Sequence, residues 1–437
     1  MSNDPICAPV KVHGIAIMTC PEISADIQIS KKMTTRCWVH IGMHKTGSTA
    51  IQQNLAKIQA GHAWRLMRTG GRPNMGAVLC AMFDDEPHKL FWFKQREEGR
   101  EAVIQQGKMW KEELLRDIQD LNGRTCIISS EFLSGFARDT LSRFHDFLLP
   151  QFDEIRVIGY VRPPVSYCVS QYQEMLKYGH SDFNIDKVHL SYREKFEKFD
   201  EIFGGDSVVL RKFDPESFPE RCIIRDFCQQ VGIEFPEDLH IKRRNASLSR
   251  EACGILYAYR KYGPPYGRGG AAFEENSQLV KALAGIKGES LRVHHHLMEE
   301  MLESKAEDIM WMENRLGASL EEKTRNDEVC VRSEQDFLTI SRRSCQKFAS
   351  RFGKQQHRKI PRRWIPEDDP VDPIKVAEFV EKCRELAKKE NDSSILSRES
   401  AESLGKKPVE RMSRFGCIGI IVKYCKDRIR KAVGPKS

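Results

Sequence analysis

Residues 38–53, WVHIGMHKTGSTAIQQ, contain the pattern that decides the fold. The apolar residues 37–42 predict a short buried strand, and a turn with two glycines follows it. A helix is predicted from Ser48 to about residue 60, because apolar side chains recur there at helical spacing, at Ile51, Leu55 and Ile58. Such a turn points free backbone N–H groups and the positive end of the helix dipole at one place, which suits an anionic phosphate.

The lysine of this turn does not stand where nucleotide-binding loops place it. A Walker A loop has the pattern G-x-x-x-x-G-K-[ST], with the lysine directly after the second glycine. Gly42 and Gly47 have that spacing, but Ser48 follows Gly47, and the lysine is Lys45, two residues earlier. The phosphate-binding turn is therefore kept, while the positive charge moves to another part of the phosphate chain. A strand-to-helix turn with a chance KTGS sequence is the alternative.

Apolar strands and helical patterns continue to alternate after this turn. Further strands are predicted at residues 125–130, 155–161 and 207–213, with helices at 101–121, 141–149, 165–176 and 192–203. This alternation predicts an α/β fold whose mostly parallel sheet is covered on both faces. Residues 64–99 are predicted to be an irregular connection. Later helices are predicted at 221–231, 249–261, 277–301, 305–316 and 376–389, with a linker at 354–373.

The charge of the chain is unevenly distributed along its 437 residues. Residues 354–437 carry the whole net charge of +8, so residues 1–353 are neutral overall. A nucleic-acid-binding body would usually carry its own basic stripe, and we therefore expect no nucleic-acid partner. We predict three parts: an N-terminal extension of low order over residues 1–34, an α/β domain over 35–353, and a basic helical tail over 354–437.

Neither the cysteines nor the histidines predict a metal site. The 14 cysteines include no C-x-x-C pair, so their spacing indicates neither a zinc site nor a disulfide framework. Three consecutive histidines at residues 294–296 would point in directions about 100° apart on a helix. We expect a solvent-facing helix surface there, and no metal.

The sequence predicts a cytoplasmic protein that could touch a membrane. No apolar run approaches the roughly 18 residues that a membrane-spanning helix needs. The first residues lack a basic segment followed by a long apolar stretch, so no secretory signal is predicted. Residues 415–433, FGCIGIIVKYCKDRIRKAV, have apolar side chains at helical spacing with basic ones between them. This tail helix could lie on an anionic surface, peripheral to the inner membrane, or could pack on its own domain.

A second phosphate-binding pattern, VIGYVRPPVSYCVSQYQEMLK, includes the end of the strand predicted at residues 155–161. Arg162 stands at the carboxyl end of that strand, where ligands bind in open α/β sheets. Pro163 and Pro164 suit the first turn of the next helix, and Ser170 lies about two turns into it. An arginine and a hydroxyl in this arrangement can bind a second phosphate. Two phosphate sites on neighbouring crossovers predict a ligand with phosphates at two positions.

Together these two motifs resemble the 3′-phosphoadenosine-5′-phosphosulfate (PAPS)-dependent sulfotransferases, particularly the bacterial sulfotransferase-family proteins. HIGMHKTGSTAIQ is similar to that family's 5′-phosphosulfate loop, and YVRPPVSYCVSQYQ to its 3′-phosphate motif. RDFCQQVGIEF, RRNASLSREA and DIMWMENRLGASL also resemble segments of such proteins, and the similarity covers roughly residues 36–320. The resemblance implies that residues 35–353 form a sulfotransferase domain with a three-layer α/β/α P-loop nucleoside-triphosphate-hydrolase-like fold, followed by a helical C-terminal region.

The resemblance also implies a donor, an acceptor and a set of binding residues. The 5′-phosphosulfate end of PAPS would be bound by His44, Lys45, Thr46, Gly47, Ser48 and Thr49, and the 3′-phosphate by Arg162 and Ser170. The expected partners are PAPS, its product PAP and an acceptor hydroxyl on a carbohydrate or glycolipid. Lys45 would stabilise negative charge on the leaving phosphate oxygen, and no metal is needed for that.

The acceptor hydroxyl needs a base, and Glu131 is the predicted one, because it ends the predicted strand IISSEF beside the turn. The alternative is a structural Glu131 that caps Ser129 or Ser130, or pairs with Lys45. Other candidate bases are His88 and the cluster Asp84, Asp85 and Glu86. Many relatives have a histidine between the first helix and the second predicted strand, where this chain has Asn74 and Met75.

The acceptor site is expected in residues 64–99 and 255–300, where Tyr257, Tyr259, Tyr262 and Tyr266 line a sugar site or pack in the core. Two other function classes stay open. One is an ATP- or GTP-binding kinase or switch protein with Glu131 in place of an acidic Mg²⁺ ligand, although the lack of a lysine after Gly47 counts against it. The other is a non-catalytic nucleotide-binding module.

Overall fold

The computed structural model describes residues 35–58, 61–94, 96–236, 239, 241, 247–267, 269–322, 329–367 and 372–386. The predicted extension at residues 1–34 and the tail segment 415–433, for which membrane contact is predicted, lie outside the described residues. Within the ranges above, no helix is both long enough and apolar enough to span a membrane.

Five strands form one parallel sheet in the order β2-β3-β1-β4-β5. They are β1 (Arg36–His40), β2 (Trp64–Leu66), β3 (Thr125–Ser129), β4 (Glu154–Val161) and β5 (Val208–Lys212). The first strand lies at the centre, with Val39 opposite Ile128 of β3 and Val157 of β4. Since all strands are parallel, their carboxyl ends meet at one edge of the sheet, and the glycine-containing turn leaves β1 at that edge.

Helices connect the strands and continue beyond them. Those between the first and last strands are α1 (Ser48–Leu55), α2 (Gly76–Phe83), α3 (Phe91–Lys94), α4 (Arg100–Gln119), α5 (Arg138–Leu148), α6 (Pro164–Lys177) and α7 (Tyr192–Phe203). After β5 follow α8 (Ile223–Val231), α9 (Arg250–Tyr262), α10 (Gly269–Leu283), α11 (Glu299–Ser304), α12 (Ala306–Leu316), α13 (Glu334–Arg343) and α14 (Cys345–Gln355). The described part of a further helix, α15, covers residues 373–386.

Alternate side chains of the sheet enter two separate apolar clusters. Val39, Ile128 and Val157 belong to the larger cluster, which α2, α4, α5, α6 and α7 cover. Their neighbours Trp38 and Ile158 belong to the smaller cluster, which α1 and α8 cover. Because both faces are buried, the strands are apolar at consecutive positions rather than at alternate ones. The predicted three-layer α/β/α architecture with a parallel sheet is confirmed.

Two predictions about secondary structure are wrong. Residues 64–99 are not an irregular connection, because they contain β2, α2 and α3. The helix predicted at residues 277–301 ends at Leu283, and the chain then forms isolated bridges before the short 3-10 turn His295–Leu297. Two glycines in the segment AGIKGES explain the break, since glycine disfavours a helix interior.

The C-terminal helices pack on the same apolar core as the sheet. Val376, Phe379 and Cys383 of α15 are fully buried in the larger cluster, and α13 packs closely along α9. The predicted linker begins inside α14, which ends at Gln355. The division of the chain at residue 353 stays a prediction.

One buried carboxylate joins two strands and a helix on the smaller cluster's side. Asp226 of α8 accepts a hydrogen bond from the Tyr160 hydroxyl of β4 at 2.7 Å. It also pairs with the guanidinium of Arg211 in β5, with N–O distances of 3.1 and 2.7 Å. Since Asp226 is wholly buried, removal of its charge leaves Arg211 without a counter-ion, and an amide in its place offers one oxygen to donors that now share two.

We expect Asp226→Asn to lower the free energy of unfolding by about 2–4 kcal/mol. Breaking a buried ion pair usually costs about 3–5 kcal/mol, and the Arg211 side chain, 35% exposed, recovers part of this from water. Urea unfolding followed by circular dichroism measures the loss. The control is Glu216→Gln, which removes an exposed ion pair with Arg221 and should change stability by at most about 1 kcal/mol. Equal losses in the two variants would contradict this role.

Candidate functional site

The turn after β1 stays attached to β4 before it enters α1. The N–H groups of Ile41 and Met43 donate to the carbonyls of Ile158 and Tyr160, at 3.0 and 2.9 Å. The chain then turns through Gly47, whose φ of +80° is one that glycine adopts without strain. These contacts hold residues 41–47 at the carboxyl edge of the sheet.

Two polar atoms of the turn are buried without a partner. Ser48 Oγ and His44 Nε2 make no hydrogen bond within the described part of the chain. Buried polar atoms are nearly always paired in proteins, so such atoms in a turn of this type are suited to a polar ligand. Burial, with the nearby charges of Lys195 and Lys45, lowers the pKa of His44 to about 3. The imidazole is therefore neutral at physiological pH and can donate one hydrogen bond or accept one.

The Lys45 side chain is paired with a carboxylate of α6. Its ammonium donates to Glu174 Oε1 at 2.9 Å, and Lys177 donates to the same oxygen at 2.5 Å. The Glu174 side chain is only 2% exposed. Burial by itself would raise the pKa of this carboxyl, but the two lysines outweigh burial and hold the pKa below its usual value. Burial also disfavours the charged form of Lys45 and lowers its pKa, although the negative charge of Glu174 acts in the opposite direction.

Arg162 connects the second motif to the turn. Its Nη1 donates to the carbonyl of Lys45 at 2.6 Å, and its Nε donates to Ser166 Oγ at 3.2 Å. The hydroxyl that accepts from Arg162 is thus Ser166, one turn into α6, while Ser170 lies buried one turn further on. The Glu322 carboxylate accepts from the first free N–H groups of this helix, at Val165 and Ser166, with distances of 2.8 to 3.2 Å.

Glu131 follows β3 and is held by two side-chain amides. Gln52 Nε2 of α1 donates to its Oε2 at 3.4 Å, and Asn74 Nδ2 donates to its Oε1 at 3.2 Å. Burial raises the pKa of Glu131 to about 7, although both amides and the charge of Lys45 act in the opposite direction. A carboxyl with this pKa exchanges its proton near neutral pH, as a general base must.

Two glycines allow the neighbouring backbone to approach Glu131 and the next residue, Phe132, closely. A Cβ on Gly42, whose φ is +86°, would lie 3.0 Å from both Cα and Cβ of Glu131. A Cβ on Gly76, at the start of α2, would lie 1.7 Å from the ring of Phe132. Side chains at either position would push the turn or α2 away from the end of β3.

The remaining candidate residues make contacts elsewhere. The hydroxyls of Tyr257 and Tyr259 donate to Glu334 of α13 and Glu381 of α15, so both rings pack between C-terminal helices. Asp84 accepts from the N–H of Glu86, and Asp85 pairs with Arg143 of α5. Tyr266 contacts Arg260, and Tyr262 is exposed at the end of α9.

The three histidines at residues 294–296 do not lie on a regular α-helix. His294 contacts His296, and His295 contacts Glu299. The described residues include no group of three or more His, Cys, Asp or Glu side chains that could hold a metal ion.

Sequence reasoning missed Gln52, Asn74 and Glu174. A signal existed for two of them: Gln52 lies one helical turn after Ser48, and Glu174 one turn after Ser170, so each shares a helix face with a predicted site residue. The signal for Asn74 is its position, where many relatives have a histidine, but its contact with Glu131 depends on the path of the chain after β2.

Comparison with known proteins gives sparse matches. No family model matches the chain. An uncharacterized protein of Archaeoglobus fulgidus is 28% identical over 126 residues, which are 28% of this chain and 34% of that protein. The match therefore spans about a third of that relative's length.

Two solved structures are similar over half of the chain. The sulfotransferase domain of the Synechococcus PCC 7002 olefin synthase is 17% identical, with a TM-score of 0.29, over 50% of this chain and 81% of that domain. A sulfotransferase from Alicyclobacillus acidocaldarius is 12% identical, with a TM-score of 0.28, over 51% of this chain and 91% of its own. Similarity at this level does not indicate the function of this chain.

We expect Gly42→Ala to destabilise the protein by about 2–4 kcal/mol. A left-handed backbone costs an L-residue about 1–2 kcal/mol, and the contact with Glu131 adds a packing cost of similar size. The matched control is Gly61→Ala, since Gly61 has φ +84° but open space around its Cβ. This control should lose only about 1–2 kcal/mol in the same urea titration. A loss at residue 42 no larger than that at residue 61 would exclude the close contact.

The pKa of Glu131 also predicts how stability depends on pH. Because this pKa is about 7 in the folded protein, against a usual value of 4.5, the folded state binds more protons than the unfolded state between these values. The stability of the wild type should therefore fall, relative to Glu131→Gln, by about 3 kcal/mol as pH rises from 4.5 to 7. Urea titrations at several pH values measure this difference.

Glu154→Gln is the control for that experiment, because the pKa of Glu154 is shifted in the opposite direction from that of Glu131. The pKa of Glu154 is lowered, chiefly by its hydrogen bond from Arg36, so its contribution is complete above the unfolded pKa and is lost only at more acidic pH. Its difference from the wild type should be flat between pH 5.5 and 7. A flat difference for Glu131→Gln as well would show that Glu131 is ionised throughout this range.

Proposed function

We propose that this protein is a sulfotransferase, which transfers the sulfuryl group of PAPS to an acceptor hydroxyl without a metal ion. The observation that carries the proposal is the position of Lys45. Its ammonium pairs with the buried Glu174 at 2.9 Å, and its charge also lowers the pKa of the buried carboxyl of Glu131. The turn thus supplies a cation for the leaving group, Lys45, and the neighbouring end of β3 supplies a base for the acceptor, Glu131.

The turn and the start of α6 supply the groups that a donor with two phosphates needs. The unpartnered Ser48 Oγ and His44 Nε2, with the backbone N–H groups of residues 46–49, would hold the 5′-phosphosulfate. Arg162 would hold the 3′-phosphate, with Ser166 and Ser170 on the same helix. ATP has no 3′-phosphate and would gain no such contact with Arg162, and this supports a preference for PAPS.

Residues of the chain would accept the proton of the acceptor hydroxyl and would stabilise the charge that develops on the leaving oxygen. When the acceptor oxygen bonds to sulfur, its proton passes to a carboxylate oxygen of Glu131. The bond between sulfur and the 5′-phosphate oxygen breaks, and the charge that develops on this oxygen is stabilised by Lys45. Glu174 stays compensated during this step, because Lys177 also donates to it.

The acceptor class follows from the resemblance of the two motifs rather than from a described pocket. We propose a carbohydrate or glycolipid hydroxyl as the acceptor, PAPS and PAP as the nucleotide partners, and no nucleic acid. Tyr257 and Tyr259 are not assigned to a sugar site, because their rings pack between C-terminal helices.

Ligand-induced thermal stabilisation tests the donor. PAP should raise the melting temperature of the full chain, whereas ATP with Mg²⁺ should raise it little, because only PAP carries the 3′-phosphate for Arg162. Arg162→Gln should remove most of the PAP effect. Selective stabilisation by ATP with Mg²⁺ would overturn the proposal in favour of a kinase or switch protein, and stabilisation by neither nucleotide would also contradict it.

Sulfate transfer from labelled PAPS to a panel of carbohydrates tests the role of Lys45. We expect Lys45→Ala to lower kcat by about 10²–10³, the usual effect of removing one charge-stabilising group from a transition state. Lys108→Ala, which changes an exposed lysine of α4, is the control and should retain wild-type activity. Retained activity in Lys45→Ala would remove this lysine from the mechanism.

A further inference from the structure

The segment between β2 and α2 is an excursion whose two ends are both fixed on β3. The N–H of Met67 donates to the carbonyl of Ile127 at 2.8 Å, and the N–H of Met75 donates to that of Ser129 at 3.0 Å. The excursion, residues 67–75, therefore leaves the sheet and returns to the end of β3. Its last residue before the return, Asn74, is thereby held beside Glu131.

The hydrogen bonds of Asn74 determine which way its amide points. Its Oδ1 accepts from the N–H of Gly76 at 3.0 Å, and of the two amide groups of an asparagine only the oxygen can accept a hydrogen bond. The Nδ2 group must then face Glu131 Oε1, at 3.2 Å. Both side chains are buried, since Asn74 is 9% and Glu131 7% exposed.

Gln52 of α1 donates to the second carboxylate oxygen. Its Nε2 donates to Ser129 Oγ at 3.0 Å and to Glu131 Oε2 at 3.4 Å. Ser129 Oγ in turn lies 2.8 Å from His40 Nδ1 in β1. Each carboxylate oxygen of Glu131 thus faces one amide N–H, and the residue is fixed from α1 and from the excursion.

The amides are not themselves titratable, so they hold the carboxylate without competing for its proton. Lys45 of the turn is the charged group that stabilises the ionised form. His44 packs against Phe132, next to Glu131, and His40 reaches the network through Ser129. Burial lowers the pKa of both histidines to about 3, so both are neutral near pH 7, where Glu131 changes its charge.

We propose that Asn74 and Gln52 are positioning residues for the base: they aim the carboxylate of Glu131 at the acceptor hydroxyl and favour its ionised form. This inference rests on the proposed function. In the transfer the acceptor O–H bond breaks, its proton goes to Glu131, the new O–S bond forms and the S–O bond to the 5′-phosphate breaks. Loss of either amide removes a donor from the ionised base, so the base becomes ionised only at higher pH.

The experiment compares pH profiles of kcat/KM for sulfate transfer in the full-length wild type, Asn74→Ala, Gln52→Ala and Asn74→Asp. We expect the acidic limb of the profile to shift to higher pH, by about 0.5–1 pH unit, in each alanine variant. It should move further in Asn74→Asp, because a second carboxylate disfavours ionisation of the first. At neutral pH, kcat should fall about tenfold, while stabilisation by PAP stays at the wild-type level.

Asn54→Ala is the matched control. Asn54 is also a buried asparagine, in α1, and among the described residues its amide bonds to Ala50 and Lys57 and not to Glu131. Its replacement should cost stability without moving the acidic limb. A purely structural role for Asn74 predicts the same behaviour in both variants, and that result would overturn the proposal.

A second measurement separates this inference from the proposed function. The Glu131 carboxyl can be titrated by ¹³C NMR in the ligand-free protein, with Glu131→Gln to assign the signal. We expect a higher midpoint in Asn74→Ala and a still higher one in Asn74→Asp. An unchanged midpoint refutes the positioning role whether or not the protein transfers sulfate. A shifted midpoint with an unshifted activity profile shows that Glu131 is not the base.

Discussion

The site depends on one electrostatic constraint: the charge of a single lysine, Lys45, acts on two buried carboxyl groups, Glu174 and Glu131. Burying a charge is costly unless it is compensated. Glu174 is compensated by Lys45 and Lys177, so it stays ionised and serves as a permanent counter-ion. Glu131 receives mainly neutral amide donors, and burial raises its pKa to about 7. Two carboxyl groups of the same chemical type thus take different roles because their surroundings differ.

This arrangement depends on the parallel sheet, which brings distant parts of the chain to one edge. The turn after β1, the end of β3 and the start of α6 all lie at the carboxyl ends of neighbouring strands. Arg162 donates to the carbonyl of Lys45, so the two phosphate-binding motifs share one backbone contact. A shift of α6 would therefore move Glu174 away from Lys45 and would also disturb the hydrogen bond of Arg162 to the turn.

The sequence predicted the parts of the fold that follow from local patterns. Four of the five strands were predicted to within about two residues, because strands buried on both faces are continuously apolar. The edge strand β2 was missed, since its three residues, WRL, are too few for a pattern. The helix predicted through residue 301 is wrong because Gly285 and Gly288 interrupt the helix although the apolar spacing continues beyond them.

The sequence by itself determined the turn, the displaced Lys45, Arg162 at a strand end and Glu131 after β3, since each depends on residue type and spacing along one strand-to-helix unit. Only the tertiary structure decided the partners of these residues. It placed Glu174 against Lys45, and it brought Asn74 to Glu131 through an excursion anchored at both ends on β3. The physical reason is that burial and long-range hydrogen bonds, which set the charge state of a carboxyl, arise only where separate segments pack together.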